Sequence, residues 1–125
     1  MLCMLLKDYV DKLSNSCKFV ILEKYREYLY EKIVLPEELN VLSNVFKVLS
    51  NDIRLKVLYL LMRHDLPVCL LATILNKDQT LISHHLRVLK ECGLVKETTI
   101  GKFKYYAVNK AELQRILEAL IKNLK

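Results

Sequence analysis

The sequence predicts a mainly α-helical fold with one small β-hairpin, preceded by an N-terminal helical extension. Three observations carry this. Apolar residues recur at helical spacing through most of the chain. Capping residues stand between those stretches: Ser14-Asn15-Ser16, Ser50-Asn51-Asp52, Asp78 and Gly93. After Gly93 the period changes, and branched and aromatic residues crowd into two short runs on either side of Gly101-Lys102.

Taken in order, residues 4–13 read as a short helix and residues 17–33 as a longer one, with Leu22, Tyr25, Leu29 and Ile33 on one stripe. Leu35-Pro36-Glu37-Glu38 breaks the pattern, and Pro followed by two acids opens the next helix. There Leu42, Val45, Phe46 and Leu49 face inward at i, i+3, i+4, i+7. A helix over 52–63 turns Val57, Leu58 and Leu61 inward, and Leu66-Pro67-Val68 is extended because the residue before proline is pushed out of the helical region. Cys69–Leu75 is a short helix, Asn76-Lys77-Asp78 a turn, and 79–92 a helix closed by Gly93. Residues 94–100 and 103–108 are strands. A final helix over 110–124 carries Leu113, Ile116, Leu117, Leu120, Ile121 and Leu124 as one apolar stripe.

At 125 residues, 53% hydrophobic and 27% charged, the chain is globular rather than disordered. It holds no apolar run long enough for a membrane span, and its start lacks the basic region of a signal peptide, so the cytoplasm is the expected location. The four cysteines (Cys3, Cys17, Cys69, Cys92) are widely spaced, without a C-x-x-C pair, and are expected to be reduced thiols. The charge is uneven. Residues 1–40 carry six Lys/Arg against seven Asp/Glu, while residues 41–125 carry fourteen against seven, so an anionic partner should dock on the latter.

The order helix, helix, short strand, short helix, turn, helix, hairpin, helix is that of a winged helix-turn-helix. The 79–92 helix has two contrasting faces. Ile82, Leu86 and Leu89 point inward. Thr80, Ser83, His84, Arg87 and Lys90 line the other side, with Gln79 at its start. Hydroxyls, an imidazole and cations suit the donors and acceptors of a DNA major groove. Lys102 and Lys104, with Thr98 and Thr99, make a basic wing suited to phosphates. Tyr105 and Tyr106 alternate faces, so one of them packs in the core. His85 is read as a packing residue and His64 as a solvated one. No catalytic arrangement is visible, because Ser83 and His84 are helical neighbours that point apart.

These stretches also resemble a known family. Phe46-Lys47-Val48-Leu49-Ser50-Asn51-Asp52-Ile53-Arg54-Leu55-Lys56-Val57-Leu58 is similar to the "ALaDptRLrIL" segment of the ArsR/SmtB metalloregulatory repressors. Asp78-Gln79-Thr80-Leu81-Ile82-Ser83-His84-His85-Leu86-Arg87-Val88-Leu89-Lys90-Glu91-Cys92-Gly93-Leu94-Val95 is similar to "sqstvSHHLkvLreaGLv", and Gly101-Lys102-Phe103-Lys104-Tyr105-Tyr106 to the family's wing. The resemblance covers residues 39–125. It implies a cytoplasmic, dimeric transcriptional repressor whose first and last family helices pack across a two-fold, with Leu113, Leu117, Leu120 and Leu124 as dimer contacts.

In family sensors two cysteines and an acid open the short helix. Here Cys69 keeps the second cysteine, Pro67 replaces the first and Leu70 the acid. A metal or metalloid site would therefore need Cys69 joined by Cys3, Cys17 or both. The preferred expectation is no cofactor, with Cys69 a buried thiol serving as a small hydrophobe. The family's other site, on the last helix, has no histidine here, since none follows His85.

The resulting division is a dimerising extension over 1–35 and a DNA-binding domain with a C-terminal dimerisation helix over 36–125. The expected partners are double-stranded DNA and a second copy of the chain, with no membrane. The competing expectation is a protein-interaction module. In it the extension recruits a partner and the wing adds only non-specific DNA affinity.

Overall fold

The computed structural model describes residues 4–122. The chain divides into two compact units, Met1–Glu37 and Glu38–Lys125.

In the first unit, β1 (Met4–Leu5) leads into α1 (Leu6–Val10). Then come α2 (Asn15–Lys24), a 3₁₀ turn (Arg26–Tyr28) and β2 (Lys32–Ile33). β1 and β2 pair antiparallel, Met4 opposite Ile33 and Leu5 opposite Lys32. This corrects two expectations. The first helix is short and begins after a strand, and the 17–33 helix is broken at Tyr25, whose φ of −109° and ψ of 21° leave the helical region. Two causes are visible. α2 buries none of its side chains, so no core rewards prolonging it. Tyr28, Tyr30, Ile33 and Val34 are poor helix formers, and the carbonyls of Leu29 and Glu31 instead accept from Lys7 N (2.7 Å) and Leu6 N (2.8 Å). Those two amides open α1 and have no partner within their own helix. Asp8 Oδ2 accepts a third bond, from Leu5 N, at 2.9 Å.

The second unit keeps the expected order: α3 (Glu38–Leu49), α4 (Asp52–Arg63), β3 (Leu66–Pro67), α5 (Val68–Leu75), α6 (Gln79–Glu91), β4 (Val95–Ile100), β5 (Phe103–Val108) and α7 (Lys110–Lys122). Side chains cap three of these helices. Asn51 accepts from Arg54 N at 3.1 Å, Asp78 from Thr80 N at 3.1 Å and Asn109 from Glu112 N at 3.3 Å. At the other ends, α5 and α6 close through residues in the left-handed region, Asn76 at φ 53° and Gly93 at φ 84°. After each, the next amide reaches back to a carbonyl five residues earlier: Lys77 N to Ala72 O and Leu94 N to Leu89 O, both 3.0 Å.

β5 is the centre of a three-stranded antiparallel sheet in the order β3-β5-β4. Pro67, which has no amide hydrogen, sits in the edge strand β3 opposite Tyr105. Tyr106 is the tyrosine that turns into the core.

The core of this unit is built on Val57, Leu71, Ile82, Leu86, Leu89 and Leu94, none of which keeps any exposed surface. Leu42, Val45, Leu58, Leu61, Val95, Val108 and Ile116 complete it. Two expected stripes prove wider than the core they face. Phe46 is 50% exposed, and on α7 Ile116 is buried while Leu117 and Ile121 are 51% and 59% exposed. An apolar stripe wider than about 100° overhangs the contact line of a single neighbouring element. Among the described residues no helix is long and apolar enough to cross a membrane.

Leu86→Ala should cost about 2–5 kcal/mol of unfolding free energy, because its fully enclosed site cannot collapse around the cavity. Ile100→Ala, at a wing position 62% exposed, should cost under about 1 kcal/mol. Urea denaturation of both variants checks the contrast.

Candidate nucleic-acid interface

α6 is held from one side only. Its fully buried Ile82, Leu86 and Leu89 fix its rotation about its own axis. That rotation leaves Gln79, Thr80, Ser83, His84, Arg87 and Lys90 exposed. The wing follows directly, with Thr98, Thr99, Lys102 and Lys104 also exposed. Gly101-Lys102 forms its tip, where Gly101 takes a φ of 61°.

The structure brings some of these residues together. A cleft of about 400 Å³ between α6 and the wing is lined by Ser83, Arg87 and Lys90 on one wall and Lys104 on the other. Lys102, at the tip, does not line it. Gln79 lies in a separate hollow at the turn between α5 and α6, beside Lys77 and Asp78.

Three further residues line the cleft that sequence reasoning passed over: Val68 at the start of α5, Glu97 and Tyr106. Lys90 Nζ lies 2.8 Å from Glu97 Oε1, an ion pair that ties the end of α6 to β4. The Lys90 hydrogen bond, helped by the Tyr106 hydroxyl, holds the Glu97 carboxyl below the usual carboxylate range. Burial, and then Glu97, push the Tyr106 hydroxyl up. Counting outward from Gly101-Lys102 would have found the pair, because a two-residue loop sets Glu97 opposite Tyr106.

His85 is buried, as expected of a packing residue, with 6% of its surface exposed. Its Nδ1 is 3.4 Å from Arg54 Nη1, while Arg54 Nε donates to the Val48 carbonyl at 2.6 Å. Burial first, and then the positive charge of Arg54 and the neighbouring His84, lower the His85 pKa. α4 and α6 are thus joined by a guanidinium and a neutral imidazole.

The thiols differ from expectation. Cys69 is exposed, not buried. α5 turns Leu71 and Ala72 into the core, which leaves Cys69, Leu70 and Thr73 outside. Cys17, in the first unit, is exposed too, and Cys3 lies outside the described residues. Among the described residues no three His, Cys, Asp or Glu side chains gather as a metal site. Soft ions need several thiolates, and Pro67 and Leu70 beside Cys69 add no donor of their own. Cys92, at the end of α6, is half-buried against the core, and burial raises its pKa.

Of the four residues expected at a dimer contact, Leu117 is exposed and Leu113 and Leu120 are half-buried, while Leu124 lies outside the described residues. Two hollows flank α7. One, of about 310 Å³, includes Met62, Leu113 and Leu117. The other, of about 510 Å³, includes Leu39, Phe46 and Leu120.

A family model described as "Bacterial regulatory protein, arsR family" matches residues 51–97. The chain is similar to the cadmium resistance transcriptional regulatory protein CadC homolog of Staphylococcus aureus, with 38% identity over 77 residues. That match takes in 61% of this chain and 64% of the relative, so the chain spans a little under two-thirds of it. It is 37% identical to the transcriptional repressor SdpR of Bacillus subtilis over 73 residues, which are 58% of this chain and 81% of that protein. Among solved structures it is similar to the homodimeric winged helix-turn-helix DNA-binding domain of a possible ArsR-family transcriptional regulator from Mycobacterium bovis. The TM-score is 0.57 and the identity 32%, covering 69% of this chain and 79% of that one.

The buried imidazole gives a pH dependence. His85 titrates below its usual 6.5 in the folded chain and near 6.5 once unfolded. Above that value both states are neutral and stability is complete. As pH falls below it the unfolded chain takes up the proton first, and stability drains away down to the folded-state pKa. The urea midpoint should therefore fall as the pH drops from about 7 through 6.5, and His85→Gln should remove that part of the fall.

Proposed function

This chain belongs to the arsR family of bacterial regulatory proteins, and from that premise we propose that it is a sequence-specific, double-stranded-DNA-binding transcriptional regulator acting as a homodimeric repressor. What carries the proposal is the division of α6 into a sealed inner face and an exposed polar face that shares a basic cleft with the wing. Ser83, His84 and Arg87, with Gln79 and Thr80 ahead of them, present hydrogen-bonding groups to the major groove, and Lys90 at the end of α6 takes the DNA backbone. Lys102 and Lys104 take phosphates, which supply affinity without sequence information. The role is one of binding rather than catalysis, and its place is the cytoplasm.

The names of the relatives support a regulator, a repressor and a homodimer in turn. The half-exposed Leu117, Ile121 and Phe46 on α7 and α3 support the second copy, whose contact would include Leu113 and Leu120 and, beyond the described residues, Leu124. No soft-ion switch centred on Cys69 belongs to this proposal, because Pro67 and Leu70 offer no ligand beside it. In the first unit Phe19, Tyr30 and Leu35 are 72%, 73% and 78% exposed. That exposure favours a second role for the extension, as a contact for the other copy or a further protein.

Selection of sites from a random duplex pool at physiological salt supplies the DNA for the test. Arg87→Ala and Ser83→Ala should weaken the selected site by about 1–3 kcal/mol for each base-edge hydrogen-bonding group removed, leaving random duplex little changed. Lys102→Ala and Lys104→Ala should weaken every duplex alike and lower the salt slope by about one each. If all four variants bind as the parent does, α6 and the wing are not the reader.

Leu117→Glu should give a folded monomer by sedimentation, because that side chain is already half exposed within one copy. A dimer that survives the change would place the interface elsewhere.

A further inference from the structure

The cleft between α6 and the wing holds one charge of the wrong sign for DNA. Three of the residues that line it, Arg87, Lys90 and Lys104, are cations, and Ser83 adds a hydroxyl. Glu97 lines the same cleft and takes one of those cations for itself, at 2.8 Å from Lys90 Nζ. Resting on the DNA-binding role proposed above, we propose that Glu97 is a built-in competitor for the DNA backbone. Its carboxylate occupies Lys90 in the free protein, and a backbone phosphate must displace it.

The two partners are unequally placed. The Lys90 side chain keeps 49% of its surface exposed and Glu97 keeps 30%, so the ammonium is open to an arriving anion while the carboxylate sits deeper. Glu97 is also held from behind, because it pairs across the hairpin with Tyr106. Carboxylate and phosphodiester each offer a single negative charge and two acceptor oxygens. Exchange at Lys90 therefore replaces like with like, and the released Glu97 keeps Tyr106 beside it and the charge of Lys104 near it.

The consequence is a weaker hold on every duplex, whatever its sequence. The competition sets an equal handicap on every duplex, because phosphates carry no sequence. Base contacts from Ser83 and Arg87 then decide which duplex overcomes it.

The test is Glu97→Gln, which keeps the shape and an acceptor for Tyr106 but frees Lys90. Glu91→Gln, an exposed position at the end of α6, is the charge-matched control. Binding of selected and random duplexes is followed across a salt series. Glu97→Gln should tighten both duplexes by a similar factor, on the order of fivefold near 0.1 M salt, with a steeper salt dependence than the parent. Glu91→Gln should gain less. In a Lys90→Gln background the gain from Glu97→Gln should shrink to the level of that control. Glu97→Gln binding no tighter than Glu91→Gln, or a full gain that survives in Lys90→Gln, would overturn the competition while leaving the DNA-binding role intact. A parent chain that binds no duplex at all would overturn both.

Discussion

Ile82, Leu86 and Leu89 lie on one side of α6 and are fully shielded from solvent, packed in one cluster with Val57 of α4, Leu71 of α5 and Leu94. Each such side chain contributes about 1.5–3 kcal/mol by burial. Turning α6 by a single residue, about 100°, would withdraw these three and drive Ser83 and Arg87 into the core. A polar group buried there without a partner costs further free energy. The direction of the outer face is therefore set by residues that never reach a ligand. Those that point outward are free to be chosen for recognition, because little of the stability depends on them.

The same constraint passes to the wing through a short rigid join. Gly93 closes α6 at a φ of 84°, and Leu94, next in sequence, is fully buried. The Leu94 carbonyl accepts from Asn109 N at 2.8 Å, which ties the base of β4 to the start of α7. A Cβ at residue 93 would meet Glu112 Cγ at 3.7 Å, an ordinary contact, so the demand for glycine comes from the backbone angle and not from space. With both ends of the join fixed, the six-residue strands of the hairpin leave the core in a set direction. Lys90 and Glu97, seven residues apart, then meet across the cleft.

The second unit was legible because several local signals agreed with one another. α4 has the bounds its pattern predicts, since Asn51 caps it and Val57, Leu58 and Leu61 are all buried. Asp78 and Gly93 bracket α6 in the same way. The first unit was misread where a stripe of Leu22, Tyr25, Leu29 and Ile33 had no burial behind it. The carbonyls that a continuous helix would have used are taken by amides at Leu6 and Lys7, more than twenty residues earlier, and no local pattern shows that. Periodicity likewise tells which face of α3 and α7 is apolar but not what covers it, so Phe46 and Leu117 looked internal. Cys69 looked buried because its neighbours are apolar, although the helix turns it outward. Glu97 drew no attention in the sequence because its partners come from cross-strand register and from α6, which charge counting along the chain does not reveal.

The start of α5 shows how the fold and the family resemblance meet. Val68 lines the cleft, and Cys69 follows it on the exposed side, so a ligand bound at this turn would act within one residue of the cleft wall. Such a position couples binding to cleft geometry only if the turn has two arrangements, each favoured by a different ligand. Pro67 removes part of that freedom. It fixes its own φ, caps α5 at φ −81° and sits in register with Tyr105 in the edge strand of the same sheet that carries the wing. At the position where the resemblance would put a first cysteine, the chain thus carries a residue that stiffens the turn. Under the proposed DNA-binding role, the groups an incoming duplex meets in the cleft beside this turn are the charges that line it, Lys90 and Glu97 foremost.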